Sequence, residues 1–403
     1  MIHLIGDVRR TVVDEHRGHD AMAKTWWRRR GQGRVQSVQA PLRSLGVAAT
    51  CVITLALAAP LVAASTRTEH ATPTPPFGVG VARCTFVDHS RSLLNYSTTP
   101  FRVLSTSRKL VTEIRYPVLA TAGGTRDAGG ELPIARSGGY PTIVFAHGYD
   151  VTPDTYAALL DAWVRAGFVV VAPIFPDESA SAVGNQPGTD TEDDLANEPG
   201  DLAFVTRSMI AASEGDVTQC PIARNLLDPS RIALAGHSDG AVAVGMLAYD
   251  HGVDPQGVNY ATLRSGLLYR AVIILSGAAD TNQSYATEAG RPDLLVVQSL
   301  LDQCNPFLDG LHLYDSIHQP NKWFLELQTA HHLPPFDGVD KSAFLVASRT
   351  TIRFLQIALE GPSSSSSLWT LGNLRPSIAR IYEGNDGPSV NDLPKVEEHC
   401  GPN

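Results

Sequence analysis

Lysine is scarce in this chain: five lysines stand beside 27 arginines, and 41 acidic residues outnumber the 32 basic ones to leave a net charge of −9. No basic patch interrupts that balance, which excludes nucleic acid as an expected partner. The preference for arginine carries no functional reading. Cysteine is sparse too, five in all, and no Cys-x-x-Cys pair occurs, so the spacing of a structural zinc site is missing. No internal repeat is visible. Charged residues make up only 18% of the chain and hydrophobic ones 43%, the balance of a globular protein rather than a disordered or fibrous one. The 403 residues suffice for one large domain or two ordinary ones.

The uncharged stretch from Ser44 to Thr66 is the one long apolar segment, with its hydrophobic run between Val47 and Ala64. Trp26-Trp27-Arg28-Arg29-Arg30, Arg34 and Arg43 precede it. A positive flank, an apolar run and small residues at its end read as a signal peptide cut after Ala64. A membrane anchor of the same orientation is the alternative, since about 20 apolar residues can also span a bilayer. The arginine triplet lacks the apolar residues that usually follow a twin-arginine signal. Asp7, Asp14, Glu15 and Asp20 suit a signal's first region poorly, whereas a start at Met22 gives the basic Met-Ala-Lys-Thr-Trp-Trp-Arg-Arg-Arg. The expected location is therefore outside the cytoplasm, secreted or in the cell envelope. Cys51 leaves with the signal. Cys84, Cys220, Cys304 and Cys400 remain, an even number in an oxidising compartment, which implies two disulfides with three possible pairings.

Residues 65–80 read as a Pro/Thr linker. From about Val81 to residue 362 the pattern is that of a folded catalytic domain. Val111–Tyr116 alternates like a half-buried strand, while 142–146, 168–172, 231–235, 271–275, 294–298 and 323–327 are short apolar runs of the kind buried in a parallel sheet. Tyr156, Leu159, Leu160, Trp163 and Val164 keep helical spacing, and Gly167 is placed to stop that helix. Helices are also expected over 240–249 and 342–359. This alternation indicates a single doubly wound, mostly parallel α/β domain. Residues 363–403 read as a Ser-rich break followed by an irregular tail.

Gly236-His237-Ser238-Asp239-Gly240 fits G-x-S-x-G. The pattern alone is weak, since roughly 0.2 chance matches are expected in a chain of this composition. Its setting is stronger: it follows an apolar strand and opens a small-residue helix, the strand–turn–helix context that presents a serine hydroxyl. A serine needs a base, and the base needs a carboxylate to fix its tautomer. Asp302 follows the strand 294–298, with Asp309 as its more distant rival. His331 and His332 follow the strand 323–327, and the residues alone leave the choice between them open. All lie beyond strand C-termini, where ligands gather in open α/β sheets. Phe145-Ala-His-Gly-Tyr149 closes another strand, so the backbone N–H of Tyr149 can meet that of Asp239 as an oxyanion hole. His147 and His237 read as supporting residues. The acidic Thr189–Asp194 lacks the glycine spacing of an EF-hand and reads as a solvated loop.

These blocks occur in one order with Phe77–Arg83, Val111–Pro117, Val171–Pro176 and Asp228–Gly240. Together they resemble the secreted bacterial α/β hydrolases related to cutinase-like polyester hydrolases, chlorophyllases and platelet-activating-factor acetylhydrolases, from about Phe77 to Leu359. The resemblance implies an α/β-hydrolase fold with Ser238 as nucleophile, His332 as base, Asp302 as acid, and Tyr149 and Asp239 as oxyanion donors. Two departures stand out. Asp239 occupies the position after the serine where polyester hydrolases often carry Met, so the resemblance does not imply their aromatic substrate clamp; separately, their neighbouring C-terminal cysteine pair is missing. The expected activity is hydrolysis of carboxylic esters through an acyl-enzyme, which needs no metal or organic cofactor. A small-molecule or lipid ester is the expected partner, with transient contact at a membrane or lipid surface left open. A peptidase or amidase of the same fold, or an envelope binding protein that has lost activity, are the alternatives.

Overall fold

The computed structural model describes residues 75–119, 131–185, 192–278, 292–361, 365–390, 393–396 and 400. The expected signal segment, the alternative start at Met22 and most of the linker lie outside them. Contacts divide the chain after Thr72, and all the described residues belong to the second unit, Pro73–Asn403.

The apolar runs become strands because both of their faces are covered. Strands β1 (Gly78–Asp88), β4 (Arg108–Val118), β5 (Tyr140–Ala146), β6 (Val169–Ile174), β7 (Leu227–His237), β8 (Tyr269–Leu275), β9 (Asp293–Ser299), β10 (Lys322–Leu327) and β11 (Ala379–Glu383) form one sheet in the order β1-β4-β6-β5-β7-β8-β9-β10-β11. Strands β2 (Leu93–Asn95) and β3 (Arg102–Ser105) make a separate two-stranded ribbon. The centre of the large sheet, β6-β5-β7-β8-β9-β10, is parallel, while β1, β4 and β11 pair antiparallel at its margins.

The two-residue period of a strand sends alternate side chains into separate cores. Ile232, Leu234, Val272, Ile274 and Val296 enter one core, which helices α2 (Glu198–Glu214), α3 (Asp239–Tyr249) and α4 (Phe307–Ser316) cover. Ala233, Ala235, Ile273, Leu295 and Val297 enter the other, beneath α1 (Ala157–Arg165), α5 (Lys341–Glu360) and α6 (Ser366–Gly372). Helices on both faces of a mostly parallel sheet give a three-layer α/β/α domain. Each buried Leu or Ile side chain in those layers is worth about 1.5–3 kcal/mol of transfer free energy. Across the second layer, Trp163 Nε1 on α1 donates to Thr351 Oγ1 on α5 at 3.0 Å.

Several expectations need correction. The tail beyond 362 is not irregular: α6 packs Leu368 into the core, and β11 adds a ninth strand by pairing Trp323 to Glu383 and Leu327 to Ala379. The linker ends earlier than residue 80, because Phe77 is buried and β1 begins at Gly78. Asp194 is not solvated. It lies fully buried beside Arg108, with Arg108 Nη2 2.6 Å from its Oδ2, and Arg108 also grips Asp201 at 2.7 Å. Arg91 adds bonds to Asp88 and Asp201, so one ionic network ties the start of β4 to α2. Residues 189–191 of that acidic segment lie outside the described residues.

The cysteines pair as Cys84–Cys220 and Cys304–Cys400. The two bridges point to an oxidising environment. No helix among the described residues is long and apolar enough to cross a membrane.

Candidate active site

Five parallel strands deliver their C-termini to one edge of the sheet, and the turns that follow them build the site. Register aligns those ends: Ala146 pairs with Gly236, His237 with Leu275, Leu275 with Val297, and Ser299 with Leu327.

Ser238 is the single residue between β7 and α3. Its φ of 55° and ψ of −124° are strained for a side-chain-bearing residue. The turn is possible because its flanks are bare. A Cβ at Gly236 would lie 2.1 Å from the carbonyl oxygen of Gly240, and one at Gly240 would lie 2.4 Å from the carbonyl oxygens of Ala146 and His147. The serine is held by its N–H donating to the Leu275 carbonyl at 3.1 Å and by its own carbonyl accepting from Ala241 at 2.9 Å.

Asp302 and His332 come together from the loops after β9 and β10. His332 Nδ1 lies 2.9 Å from each carboxylate oxygen of Asp302. Because the carboxylate accepts, the proton resides on Nδ1 and leaves Nε2 with its lone pair. Asp302 is 1% exposed. Its Oδ1 also accepts from the N–H groups of Cys304 (3.0 Å) and Asn305 (2.9 Å), and its Oδ2 from Gln298 Nε2 (3.2 Å). His331 points elsewhere, to Gln303 Oε1 at 2.9 Å, and is exposed. Asp309 sits in the first turn of α4.

Across the serine stands the turn after β5. A Cβ on Gly148 would lie 2.9 Å from the Cβ of Ser238, so only glycine allows this approach. Buried His147 fixes the turn from within. Its Nδ1–H donates to the Gly148 carbonyl at 2.8 Å, and its Nε2 accepts from the Phe175 N–H at 3.0 Å. Burial pushes its pKa down to about 4, which keeps the ring neutral in that tautomer. The Gly148 carbonyl and the Tyr149 N–H belong to one peptide plane, so the bond from His147 also sets where the Tyr149 N–H points. Tyr149 itself is 37% exposed, at the surface of the site.

His237 is buried beside the serine and packs at a tilt against His332, with ring centroids 4.6 Å apart. Its Nε2 lies 3.2 Å from the His332 carbonyl and its Nδ1 2.8 Å from the Tyr156 hydroxyl. Burial, and then the positive charge His332 can carry, push its pKa well below the ordinary value. Tyr156 went unread in the sequence as anything but a helix-face residue. Its hydroxyl accepts the Gly148 N–H at 3.2 Å. A tyrosine at the buried start of a helix that follows a glycine turn was the available signal.

Two carboxyls, Glu178 and Glu198, are fully buried, and both feel the charge of Asp239 at the start of the serine's helix. Burial pushes both pKa values well up; the charges of Glu198 and Asp239 add to the rise at Glu178, and those of Asp239, Asp194 and Asp201 at Glu198, where the hydrogen bond with Glu178 works the other way. Among the described residues one trio has the spacing of metal ligands, Asp302, Cys304 and His332. It is a poor ligand set, because the Cys304 sulfur is bonded to Cys400 and the Asp–His pair is engaged with itself.

Residues 132–265 match the family model described as Chlorophyllase. Chlorophyllases are among the hydrolases that the ordered motifs resemble, and the match suggests an ester hydrolase. It spans the His147–Tyr149 turn and the Gly236–Gly240 elbow and ends before Asp302 and His332. No curated protein matches the chain.

Proposed function

We propose that this chain is an exported serine hydrolase of the α/β-hydrolase fold that cleaves carboxylic esters. The observation that carries the reading is the strained Ser238 turn on the same strand edge as the hydrogen-bonded His332–Asp302 pair. The Chlorophyllase match over 132–265 supports the choice of esters.

Ser238 Oγ attacks the ester carbonyl carbon while His332 Nε2 takes its proton. The carbonyl oxygen becomes an oxyanion, held by the backbone N–H groups of Tyr149 and Asp239. Such donors are worth about 3 kcal/mol each where one has been removed. The imidazolium gives its proton to the leaving alcohol, and an acyl-serine remains. Water then attacks it by the same route and releases the acid. Asp302 stays ionised throughout, orienting His332 and balancing its charge.

A fluorophosphonate probe tests the nucleophile. It labels the wild-type chain and fails on Ser238→Ala, which also loses hydrolysis of p-nitrophenyl esters. Labelling that survives the substitution would remove Ser238 from the reading, and faster turnover of amides than of matched esters would move the activity to the amidases. Export is tested separately: N-terminal sequencing of protein from the culture medium should begin at Ser65, and an intact 47–64 run on membrane-bound protein would make it an anchored hydrolase.

A further inference from the structure

One chain of hydrogen bonds crosses the site from the turn after β5 to the loop after β10, and chemistry fixes the direction of every link. The His332 carbonyl can only accept, so His237 Nε2 carries the proton between them. A neutral His237 then has a bare Nδ1, which can only accept, so the Tyr156 hydroxyl donates to it. The Tyr156 oxygen in turn accepts from the Gly148 N–H, which can only donate. Tyr156 is 0% exposed and His237 2%. No link can be reversed without leaving a buried polar group unpaired.

We propose that Tyr156 and His237 are positioning residues that lock the oxyanion turn to the base's loop across the nucleophile. The inference rests on Ser238 and His332 having the roles given above. Tyr156 occupies the N–H of Gly148, while His147 holds the carbonyl of the same residue. The oxyanion turn is thereby pinned on both sides of Gly148. At the other end, His237 grips the backbone of the residue that carries the base. The two halves of the site come from segments far apart in sequence, and no backbone pairing joins β5 to β10 directly. The side-chain bridge ties the two turns directly, where the sheet joins their strands only through β7, β8 and β9. His237 also stays uncharged while its neighbour His332 takes a proton, so the frame does not shift when the imidazolium forms. A misplacement of about 1 Å at such a site costs up to about 100-fold in rate.

The test is steady-state hydrolysis of p-nitrophenyl acetate, with melting curves, on Tyr156→Phe, His237→Leu, His237→Gln, Thr351→Val and Ser238→Ala. Tyr156→Phe keeps the ring against Phe145 and removes only the hydroxyl. We expect its kcat to fall about 10- to 100-fold with KM within about twofold. His237→Gln retains an N–H that can reach the His332 carbonyl and should recover activity relative to His237→Leu. Thr351→Val deletes the buried hydrogen bond from Trp163 and should lower the melting temperature while leaving kcat at the wild-type value. Wild-type kcat in Tyr156→Phe, or a loss no larger than that of Thr351→Val at equal folded fraction, would overturn the proposal. Equal activities of the two His237 variants would do the same. Hydrolysis by Ser238→Ala would instead overturn the assignment of the nucleophile, a different result from either.

Discussion

The N–H of Cys304 donates to Asp302 Oδ1 at 3.0 Å while the Cys304 sulfur is bonded to Cys400. The same residue thus orients the carboxylate that orients His332 and anchors the end of the chain. Replacing Cys304 and Cys400 together by Ser should loosen the acid loop and lower kcat about tenfold. Stability should fall by less than the roughly 2–5 kcal/mol seen when small domains lose a bridge. Steady-state kinetics and denaturant melts read both effects, and unchanged kcat would reduce the bridge to a tether. Thiol titration of the unmodified protein in denaturant should find no free thiol among the four cysteines.

The neighbouring histidines make a sharp comparison. His332 bonds Asp302 and His331 bonds Gln303. His332→Ala should lower kcat by roughly three orders of magnitude or more. His331→Ala should keep most of the activity, because its ring lies outside the Asp302 contact. The opposite ranking in ester hydrolysis would transfer the base to His331.

Glu178 and Glu198 give the fold a pH dependence with a definite sign. Burial raises both carboxyl pKa values, so above the ordinary carboxyl range the folded state holds protons that the unfolded chain has released. Stability therefore falls as pH rises from that range. Glu198→Gln removes the ionisable group without removing the shape. It should melt about 2 °C or more above wild type at pH 8, and the advantage should disappear near pH 4. Thermal melts at pH 4, 6 and 8 decide it; equal shifts at all three would show that Glu198 is not held protonated.

The central strands were legible because burial on both faces leaves continuous apolar runs such as Leu294–Gln298. The positions of Ser238, Asp302 and the His331–His332 pair were legible because each sits just beyond such a run; the choice of His332 over its neighbour came from the family resemblance. Helix α2 was not, since its first turn buries Glu198 and Asp201 where an amphipathic pattern would place apolar residues. Asp201 faces inward because Arg91 and Arg108 meet it there, a partnership across more than ninety residues that no local pattern announces. Strand β11 is a short Ala-Arg-Ile-Tyr-Glu segment whose identity comes from pairing with β10. The roles of Tyr156 and His237 rest on a contact between residues 81 positions apart.

The two disulfides span 136 and 96 residues, and their positions matter more than their number. Strands β1 and β11 are the open margins of the sheet, where peeling begins most readily. Cys84 rivets the first margin to the turn after α2, and Cys400 returns the chain beyond the second to the loop of Asp302. A backbone cut within 84–220 or within 304–400 leaves the pieces covalently joined, so a nick there does not shed a margin of the sheet. Cuts between Cys220 and Cys304 are spanned by neither bridge, so there resistance to peptidases rests on how slowly the middle of the sheet unfolds.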